Sequence, residues 1–580
     1  MHKIQQFIFP SIDITAPEDM YFRGHHDGAT CSLKRGIIEI ASGGTARFDT
    51  FFNSLSVAPW KNNCQIDDLN FGVTGKGRVR LRFALNQLHK PHRWLYETDI
   101  ELSDIPTNLA LDFWKDITGG MLYVEVRGLS DAAIHSAYFY TNSQPQHDVK
   151  LGIVITHFNR KHYVLPAIQR ISNTLLNDSY YSDRVELIVV DNSQNILDTE
   201  KGKSTLIPSK NLGGSGGFTR GLLHLKDNNF SHCLFMDDDA SCEMEAIRRT
   251  LHLLQFAKID NLAVAGSMMR EAEPFRIHEK GARIAETGVV NLKRGLDMRH
   301  VHDLLLAEEP EHITYGGWWH FAFRIKDAHR LSFPFFVRGD DMLFGLTNAF
   351  NIVTMNGIGG WADDFGTKES PINRYLSLRA HIMCLILGTD VSKWKMIRTY
   401  FGCILTSSLS YNYSGCNAFS EAVKDIIKGP SFWEQNVAMT DVRKKISQIA
   451  DGEKCNPIEI PAGAERRSLH ESKLRRVVRL ISLNGFLLPA FLIKNKTVIE
   501  PKDFHAAFRR IFRYKNVIYL AGDNTGYEAH YDKKKFFACL FEWAKTSRKF
   551  SKEFPSLKTR YKKSLDYLTS EKFWRNIFFS

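Results

Sequence analysis

Three adjacent aspartates, Asp237, Asp238 and Asp239, place the strongest constraint on how this 580-residue chain can fold. They follow an apolar run at residues 233–236 that is typical of a buried strand. Ionised carboxylates repel one another in a desolvated place, but a divalent cation can neutralise them at the carboxyl end of a strand. Asp237 and Asp239 lie two apart and can point the same way, whereas Asp238 faces elsewhere. We therefore expect a metal site that also accepts phosphate oxygens; the alternative is an acidic turn that caps a helix from Ser241 onward.

Length, charge and cysteine usage limit the class of protein. The chain is too long for one hydrophobic core, so about two to four domains are expected. Lysine and arginine number 76 against 64 acidic residues, a net charge of +12, which favours a polyanionic partner such as nucleic acid, an anionic bilayer or a phosphorylated substrate. Nine cysteines without paired spacing indicate a reducing compartment. The first residues lack an apolar signal core, and the apolar stretch 480–493 is interrupted and too short to span a bilayer. We expect a cytoplasmic protein.

Residues 1–148 show the pattern of an all-β region. Residues 78–83 and 122–127 alternate apolar and polar side chains, as half-buried strands do. Glycine-rich breaks separate such segments, and a β-sandwich is the expected arrangement. Trp60 or Trp94 could bind carbohydrate there, although tryptophans of this kind more often belong to the core.

The pattern changes to a doubly wound α/β fold over residues 149–384. A continuous apolar strand at 151–156 is followed by a helix-like segment and by a second buried strand at 185–190. Ligand groups belong at the carboxyl ends of such strands, where Arg160 and Asp191 are found. Both are therefore candidates to contact a nucleotide, although each alone could be a helix cap or a surface charge.

A glycine run at residues 213–217 precedes a predicted helix at 219–225. Four glycines in five residues allow the backbone to come very close to another group, and a glycine-rich loop that leads into a helix indicates phosphate or nucleotide binding. The run is not a Walker sequence, because no Gly-Lys-Ser/Thr follows it, and it is not the Gly-x-Gly-x-x-Gly fingerprint at the first strand.

Four motifs in this order resemble those of family 2, inverting glycosyltransferases of the GT-A fold. They are Thr-His-Phe-Asn-Arg (156–160), Val-Val-Asp-Asn-Ser (189–193), Asn-Leu-Gly-Gly-Ser-Gly-Gly-Phe (211–218) and Asp-Asp-Asp-Ala (237–240). More narrowly, the chain is similar to the UDP-galactofuranosyltransferases that build bacterial galactans. The segments that carry this narrower similarity are 47–60, 316–320, 339–345 and 569–574. The resemblance implies a GT-A (Rossmann-like) α/β domain between an N-terminal β-sandwich (1–148) and a mainly helical C-terminal region (385–580).

The resemblance also implies a role for individual residues. Asp237 and Asp239 would hold Mn²⁺ or Mg²⁺ against the donor diphosphate. Asp341 would be the general base for the acceptor hydroxyl, with Asp340 orienting that hydroxyl and raising the pKa of the base. From the residues alone, this acidic pair could equally be a solvated helix start. The nucleotide-sugar contacts implied are Arg160, Asp191, Asn211, Gly213, Gly214 and Asp238, and those of the acceptor are Trp318 and Trp319.

The chain departs from the family pattern at the third metal ligand. The family usually carries a metal-binding histidine just after a tryptophan, whereas here Trp361 is followed by Ala362, Asp363 and Asp364. Either Asp363 or Asp364 supplies that ligand, or the site has fewer protein ligands, or the two sequences are offset at this point. His381 is a weaker candidate.

The C-terminal region combines basic clusters with apolar and aromatic residues. Residues 464–481 are basic, the apolar stretch 480–493 follows directly, and further clusters lie at 509–510, 533–535 and 562–563. This composition suits a face that rests on anionic lipid, although a charge run is usually a solvated surface. It could also bind nucleic acid, but no recognition motif accompanies it.

The sequence thus predicts a cytoplasmic, metal-dependent inverting glycosyltransferase on the inner face of a bacterial plasma membrane. It would move galactofuranose from UDP-galactofuranose to a lipid-linked or growing glycan of a surface polysaccharide. The alternatives are the same fold with another nucleotide-sugar donor, or a non-catalytic scaffold that binds glycan or lipid. A nucleic-acid partner is not expected.

Overall fold

The computed structural model describes residues 1–12, 16–363, 369–503, 508–522 and 524–579. The N-terminal region, as expected, consists mainly of strands. Its elements are β1 (His2–Gln6), β2 (Ala29–Ser32), β3 (Ile37–Ile40), β4 (Thr45–Arg47), β5 (Leu55–Ser56), α1 (Val57–Asn63), β6 (Asn70–Asn86), β7 (Arg93–Leu102), β8 (Thr107–Ala110), β9 (Met121–Gly128) and β10 (Ala132–Thr141).

Strand β6 is a central strand of the ten-stranded sheet of this region. Its first half pairs with β8 and β10 and its second half with β7 and β9. Phe71 and Phe83 would be about 40 Å apart on a straight strand, yet their ring centroids are 5.2 Å apart. The strand therefore folds back on itself at Gly75 and Gly77, where φ is +86° at Gly77 and a Cβ on Gly75 would lie 2.0 Å from the Ala133 carbonyl oxygen. The predicted glycine break is thus a bend within strand β6. The two halves of the strand face each other across the core.

The two tryptophans considered for carbohydrate binding differ in their environment. Trp60 is completely buried and belongs to the core. Trp94 is exposed on β7, where the Arg82 guanidinium lies 5.1 Å from its ring centroid and the His92 ring lies 4.5 Å away.

The central region alternates strands and helices. Its elements are β11 (Leu151–His157), α2 (Lys161–Arg170), α3 (Ser179–Ser182), β12 (Val185–Asp191), β13 (Thr205–Pro208), α4 (Gly213–Asp227), β14 (His232–Asp237), β15 (Ser241–Cys242), α5 (Met244–Gln255), β16 (Leu262–Ala265), β17 (Ser267–Arg270), β18 (Glu273–Glu279), β19 (Ala282–Ala285), β20 (Gly288–Asn291), α6 (Val301–Glu308), β21 (Phe321–Arg324), α7 (Asp340–Asn348), β22 (Asn351–Val353), β23 (Gly359–Ala362) and α8 (Pro371–Gly388).

The central sheet has the strand order β13-β12-β11-β14-β21-β16-β22. The first four strands are parallel, and β21 is antiparallel to its neighbours. Thr156 pairs with Asp237 and His157 with Asp191, so the carboxyl ends of β11, β12 and β14 lie side by side. A second sheet has the strand order β15-β23-β17-β18, and its strand β15 follows β14 in the chain. This is the predicted doubly wound α/β arrangement, with the polar strand ends at one edge.

The central sheet is buried on both faces. Ile153 and Ile155 of β11 belong to the core shared with the N-terminal region, whereas Val154 belongs to the core shared with the C-terminal helices. Successive side chains of a strand point to opposite faces, and a strand covered on both faces is apolar throughout. The continuous apolar run at residues 151–155 of β11 therefore results from burial on both faces of the sheet.

The C-terminal region is helical but also contains a small sheet, which the sequence analysis did not predict. Its elements are α9 (Lys393–Leu409), α10 (Tyr413–Lys428), α11 (Pro430–Gln435), α12 (Thr440–Ile449), β24 (Asn456–Pro457), α13 (Lys473–Ile481), β25 (Lys494–Pro501), α14 (Phe508–Ile511), β26 (Tyr514–Leu520), β27 (Thr525–His530), α15 (Lys533–Leu568) and α16 (Glu571–Phe579). The sheet order is β24-β27-β26-β25. Helix α8 continues through the expected boundary at 384/385. Among the described residues, no helix is both long enough and apolar enough to cross a membrane.

Candidate active site

A cavity of about 860 Å³ opens at the carboxyl edge of the central sheet. Two acidic groups that are distant in the sequence line it together: the triplet at the end of β14, and Asp340 and Asp341 in the first turn of α7. The strand β15 and the N-cap residue Glu243 separate the triplet from α5, so the triplet does not cap that helix. The expected position of the aspartates at a strand end is the one found.

Arg160 and His157 hold two members of the triplet. The Arg160 Nη1 atom lies 3.2 Å from Asp238 Oδ1 and 2.7 Å from Asp239 Oδ2. His157 Nδ1 lies 3.4 Å from the other oxygen of Asp238. Asp238 is thus turned toward the end of β11. Asp239 contacts the same Arg160 nitrogen, so these two side chains converge, whereas the sequence analysis expected Asp238 to face away from Asp239. Arg160 therefore orients Asp238 and Asp239 directly.

The donor set of the triplet suits a hard divalent cation. Burial, together with the charges of Asp239, Asp238, Asp340 and Asp341, raises the pKa of Asp237 well above its ordinary value. So many carboxylates in one buried place favour a bound cation. One or two carboxylates that act together with substrate phosphates are a usual way to bind Mg²⁺, so Asp237 and Asp239 fit this role.

The third protein ligand is not assembled in the described part of the chain. No group of three or more His, Cys, Asp or Glu side chains there has the arrangement of a metal site. Asp363 lines the cavity, and its Oδ2 accepts a hydrogen bond of 3.1 Å from the Tyr163 hydroxyl. Asp364 lies outside the described residues. His381 also lines the cavity, with Nε2 3.3 Å from the Glu286 carbonyl oxygen.

The acidic pair of α7 is a buried helix start. Asp340 is buried, and Asp341 Oδ1 accepts a 2.7 Å hydrogen bond from the Met342 amide. Burial raises the pKa of both carboxyls, and the charge of Asp341 raises that of Asp340 further. The alternative of a solvated helix start is therefore wrong. The preceding residue Arg338 has φ +62°, a left-handed backbone that is strained for a non-glycine residue and that clusters at functional sites, and Gly339 follows it with φ +90°.

The glycine run lies inside helix α4, which begins at Gly213 rather than after the run. Gly213 has φ +69°, and a Cβ on Gly214 would lie 2.9 Å from Asp340 Oδ2. A Cβ on Gly217 would lie 2.2 Å from Thr156 Cγ2 on β11. Gly214 lines the cavity and brings the positive end of α4 to Asp340, whereas a Cβ on Gly213 would lie 2.0 Å from the Phe336 carbonyl oxygen. Gly217 allows α4 to pack on the sheet.

Asp191 and Asn211 make local contacts and do not line the cavity. The Asp191 carboxylate is buried and accepts hydrogen bonds of 2.8–2.9 Å from the backbone amides of residues 193–196. Burial alone would raise the pKa of Asp191, but these amides outweigh it and lower the pKa. Asn211 Oδ1 accepts a 3.0 Å hydrogen bond from the Gly213 amide. Both side chains therefore hold the loops that border the site.

The two tryptophans are not equivalent. Trp318 is 4% exposed, and its ring centroid lies 5.0 Å from that of Phe218 and 4.8 Å from that of Phe235. Trp319 is half-buried and donates a 2.9 Å hydrogen bond from Nε1 to the Gly266 carbonyl oxygen. Both line the cavity, but Trp318 is mainly a core residue and exposes little surface for stacking.

Glu279, at the end of β18, was missed by the sequence analysis. It lines the cavity, is 4% exposed, and its Oε1 atom has no hydrogen-bond partner among the residues that the structure describes. Burial, and then the charge of Asp341, raise its pKa to about 8. It is therefore a neutral acid at pH 7 beside the candidate base. No motif surrounds it, so only the fold could reveal it.

In open α/β sheets of this kind, ligands bind in the crevice at the carboxyl ends of the strands, which is where the acids lie in this protein. Residues 152–302 match the model of glycosyl transferase family 2. The chain thus carries a family 2 domain and is a glycosyltransferase.

Curated relatives match nearly the whole chain. Galactofuranosyltransferase GlfT2 of Mycobacterium tuberculosis is 24% identical over 93% of this chain and 91% of its own. The corresponding enzyme of Mycolicibacterium smegmatis is 23% identical, with 94% and 90% covered. Among solved structures, glucosyl-3-phosphoglycerate synthase from Mycobacterium tuberculosis, in complex with Mn²⁺, uridine diphosphate and phosphoglyceric acid, is 14% identical; the similarity covers 41% of this chain and 78% of that one, with a TM-score of 0.28. Mannosyl-3-phosphoglycerate synthase from Rubrobacter xylanophilus has the same identity and score.

Proposed function

We propose that the protein is a metal-dependent inverting transferase that moves galactofuranose from UDP-galactofuranose to a lipid-linked or growing glycan of a surface polysaccharide. The observation that carries this proposal is the meeting of two acidic groups, from β14 and α7, in one cavity. The choice of donor follows from the similarity to the mycobacterial galactofuranosyltransferases. Another nucleotide-sugar donor on the same fold is the second candidate.

The donor side of the site is formed by the triplet and its neighbours. Asp237 and Asp239 would hold Mn²⁺ or Mg²⁺, which when bound stabilises the negative charge of the departing diphosphate. Arg160, which touches Asp238 and Asp239, is close enough to add positive charge beside the nucleotide. Asp363 is our candidate for a third protein ligand, together with Asp364.

The loops that border the donor side would define the place of the nucleotide. Asp191 holds residues 193–196 through its backbone contacts, and Asn211 holds the start of α4, where the backbone of Gly213 and Gly214 would approach a phosphate. We assign Asp191 and Asn211 the role of positioning these loops around the uridine.

The acceptor side is formed by α7. In the reaction, the acceptor oxygen forms a bond to the anomeric carbon from the face opposite the diphosphate, the bond from that carbon to the diphosphate breaks, and Asp341 takes the hydroxyl proton. Asp340, whose pKa is raised by burial and by the charge of Asp341, would orient the hydroxyl. Trp319, and the exposed edge of Trp318, would contact the acceptor sugar.

The enzyme would act at the cytoplasmic face of a membrane. A lipid-linked acceptor requires the active site to approach a bilayer surface, and the basic and apolar C-terminal residues have the composition for such an approach.

The test is to incubate the protein with each of a panel of UDP-sugars, Mn²⁺ and a galactan oligosaccharide, and to measure the UDP released. UDP-galactofuranose should be consumed, and EDTA should stop the reaction. Consumption of a different UDP-sugar would favour the second candidate. Release of no UDP from any donor would contradict the proposal.

A further inference from the structure

Helix α13 presents its apolar side chains to solvent. None of its side chains is buried by the described part of the chain. Leu474 is 76% exposed and Ile481 73%, and the exposed residues Val477 and Val478 lie on the same side of the helix as these two at 3.6 residues per turn. A surface helix normally turns such a stripe toward the core.

The basic side of α13 contacts the protein instead. Arg475 donates a 3.1 Å hydrogen bond from Nη2 to the Arg509 carbonyl oxygen. Arg479 forms a bidentate ion pair with Glu471, at 2.8 and 3.0 Å. Arg475, whose guanidinium also lies 5.8 Å from the Phe512 ring centroid, therefore holds the helix in this inverted orientation, whereas the pair with Glu471 is local to the start of the helix.

The exposed apolar surface continues after the helix. Phe491 is 83% exposed, and Leu487 is exposed as well. Cationic side chains border this surface: Lys473 and Arg476 of α13 and Lys494 of β25 are exposed. The combination of outward apolar side chains with a basic border is that of an interfacial helix on anionic lipid.

We propose that a docking face, formed by Leu474, Val477, Val478, Ile481 and Phe491, inserts into an anionic bilayer surface. A second copy of the chain fits less well, because a twofold contact would bring the basic border against itself. The inference rests on the proposed function in one respect, which is that the acceptor is linked to a lipid.

The docking face is linked to the active site through helix α9. Asn484, just after α13, donates a hydrogen bond to the carbonyl oxygen of Leu409, the last residue of α9. The Tyr519 hydroxyl, on strand β26 of the small sheet, donates a hydrogen bond to the carbonyl oxygen of Ser410. Further along the same helix, Thr399 and Thr406 line the cavity. A bilayer held at α13 would therefore present its lipid-linked acceptors near the α9 wall of the cavity.

The test uses sedimentation of the full chain with vesicles of phosphatidylcholine alone or with phosphatidylglycerol. The wild-type protein should bind the anionic vesicles and not the neutral ones. A triple variant, Leu474→Ser, Val477→Ser and Ile481→Ser, should bind at least about tenfold more weakly, because three apolar side chains no longer leave water. The control is Ile105→Ser, an exposed isoleucine of the N-terminal region, which should bind like the wild type.

Three outcomes would overturn the inference: no binding by the wild type, retained binding by the triple variant, or a wild-type dimer that the triple variant dissociates while vesicles are not bound. An unchanged Tm of the variant shows that its fold is intact. Transfer to a soluble oligosaccharide separates the two proposals. The triple variant should retain that activity, whereas a wild type that binds vesicles but transfers no sugar would contradict only the proposed function.

Discussion

Replacement of Glu279 by glutamine should stabilise the protein increasingly as the pH rises. The pKa of this buried glutamate is about 8, against 4.5 for an ordinary glutamate. The folded protein therefore binds the proton more tightly than the unfolded chain, and its stability falls as pH rises from 4.5 to 8. Since one pKa unit corresponds to about 1.4 kcal/mol, the ionised carboxylate costs up to about 5 kcal/mol above pH 8. Glutamine does not ionise and avoids that cost.

The measurement is the Tm of both proteins by differential scanning fluorimetry between about pH 4 and about pH 9. The lower limit lies below the ordinary pKa of glutamate, and the upper limit lies above the raised pKa of Glu279. A chain of several regions does not unfold in two states, so the comparison uses the Tm difference rather than a free energy. The two values should be close at the acidic end and diverge at the alkaline end. Glu101→Gln, at an exposed glutamate, is the control and should show no divergence. Parallel curves for Glu279→Gln would refute the argument that burial keeps this acid neutral.

Three further substitutions test the site and its support. Asp341→Asn should lower kcat by about 10²–10⁴-fold with UDP affinity kept, because the amide cannot take a proton; normal turnover in a coupled UDP-release assay would remove Asp341 from the role of base. Asp239→Asn should weaken Mn²⁺-dependent UDP binding in calorimetry, and unchanged affinity would count against a metal at the triplet. Gly217→Ala should lower the Tm, because its Cβ would lie 2.2 Å from Thr156 Cγ2. Overpacking of this kind costs about 1–3 kcal/mol of folding free energy. The matched change Gly402→Ala, at a helical glycine with open space, should leave the Tm unchanged or raise it.

Patterns that depend on neighbouring residues predicted the local structure well. The buried strands at 151–156 and 185–190, and the aspartates at the end of the strand 233–236, are found where the sequence placed them. Periodicity and an abrupt change from apolar to acidic residues are local signals, so they can be recognised without knowledge of the fold. The glycine run was harder to interpret, because the sequence cannot show whether a glycine faces a ligand or, like Gly217, a neighbouring strand.

Features that depend on distant contacts could be seen only in the folded chain. The small sheet of strands β24–β27 and the inverted orientation of α13 come from tertiary packing that overrides the local pattern. Trp318 was expected to stack on a sugar, but its ring is mostly enclosed by Phe218 and Phe235. Glu279 carries no motif, and its raised pKa results entirely from the burial and from Asp341.

The sequence by itself determined the class of fold, the edge of the sheet where the acids gather and the separate acidic pair of Asp340 and Asp341. The tertiary structure alone decided that the two acidic groups share one cavity, that Arg160 joins Asp238 to Asp239, and which glycines are left to face the site. The physical reason is that the free energy of a charge depends on what surrounds it in space, and burial and neighbouring charges are set by chain segments far apart in the sequence.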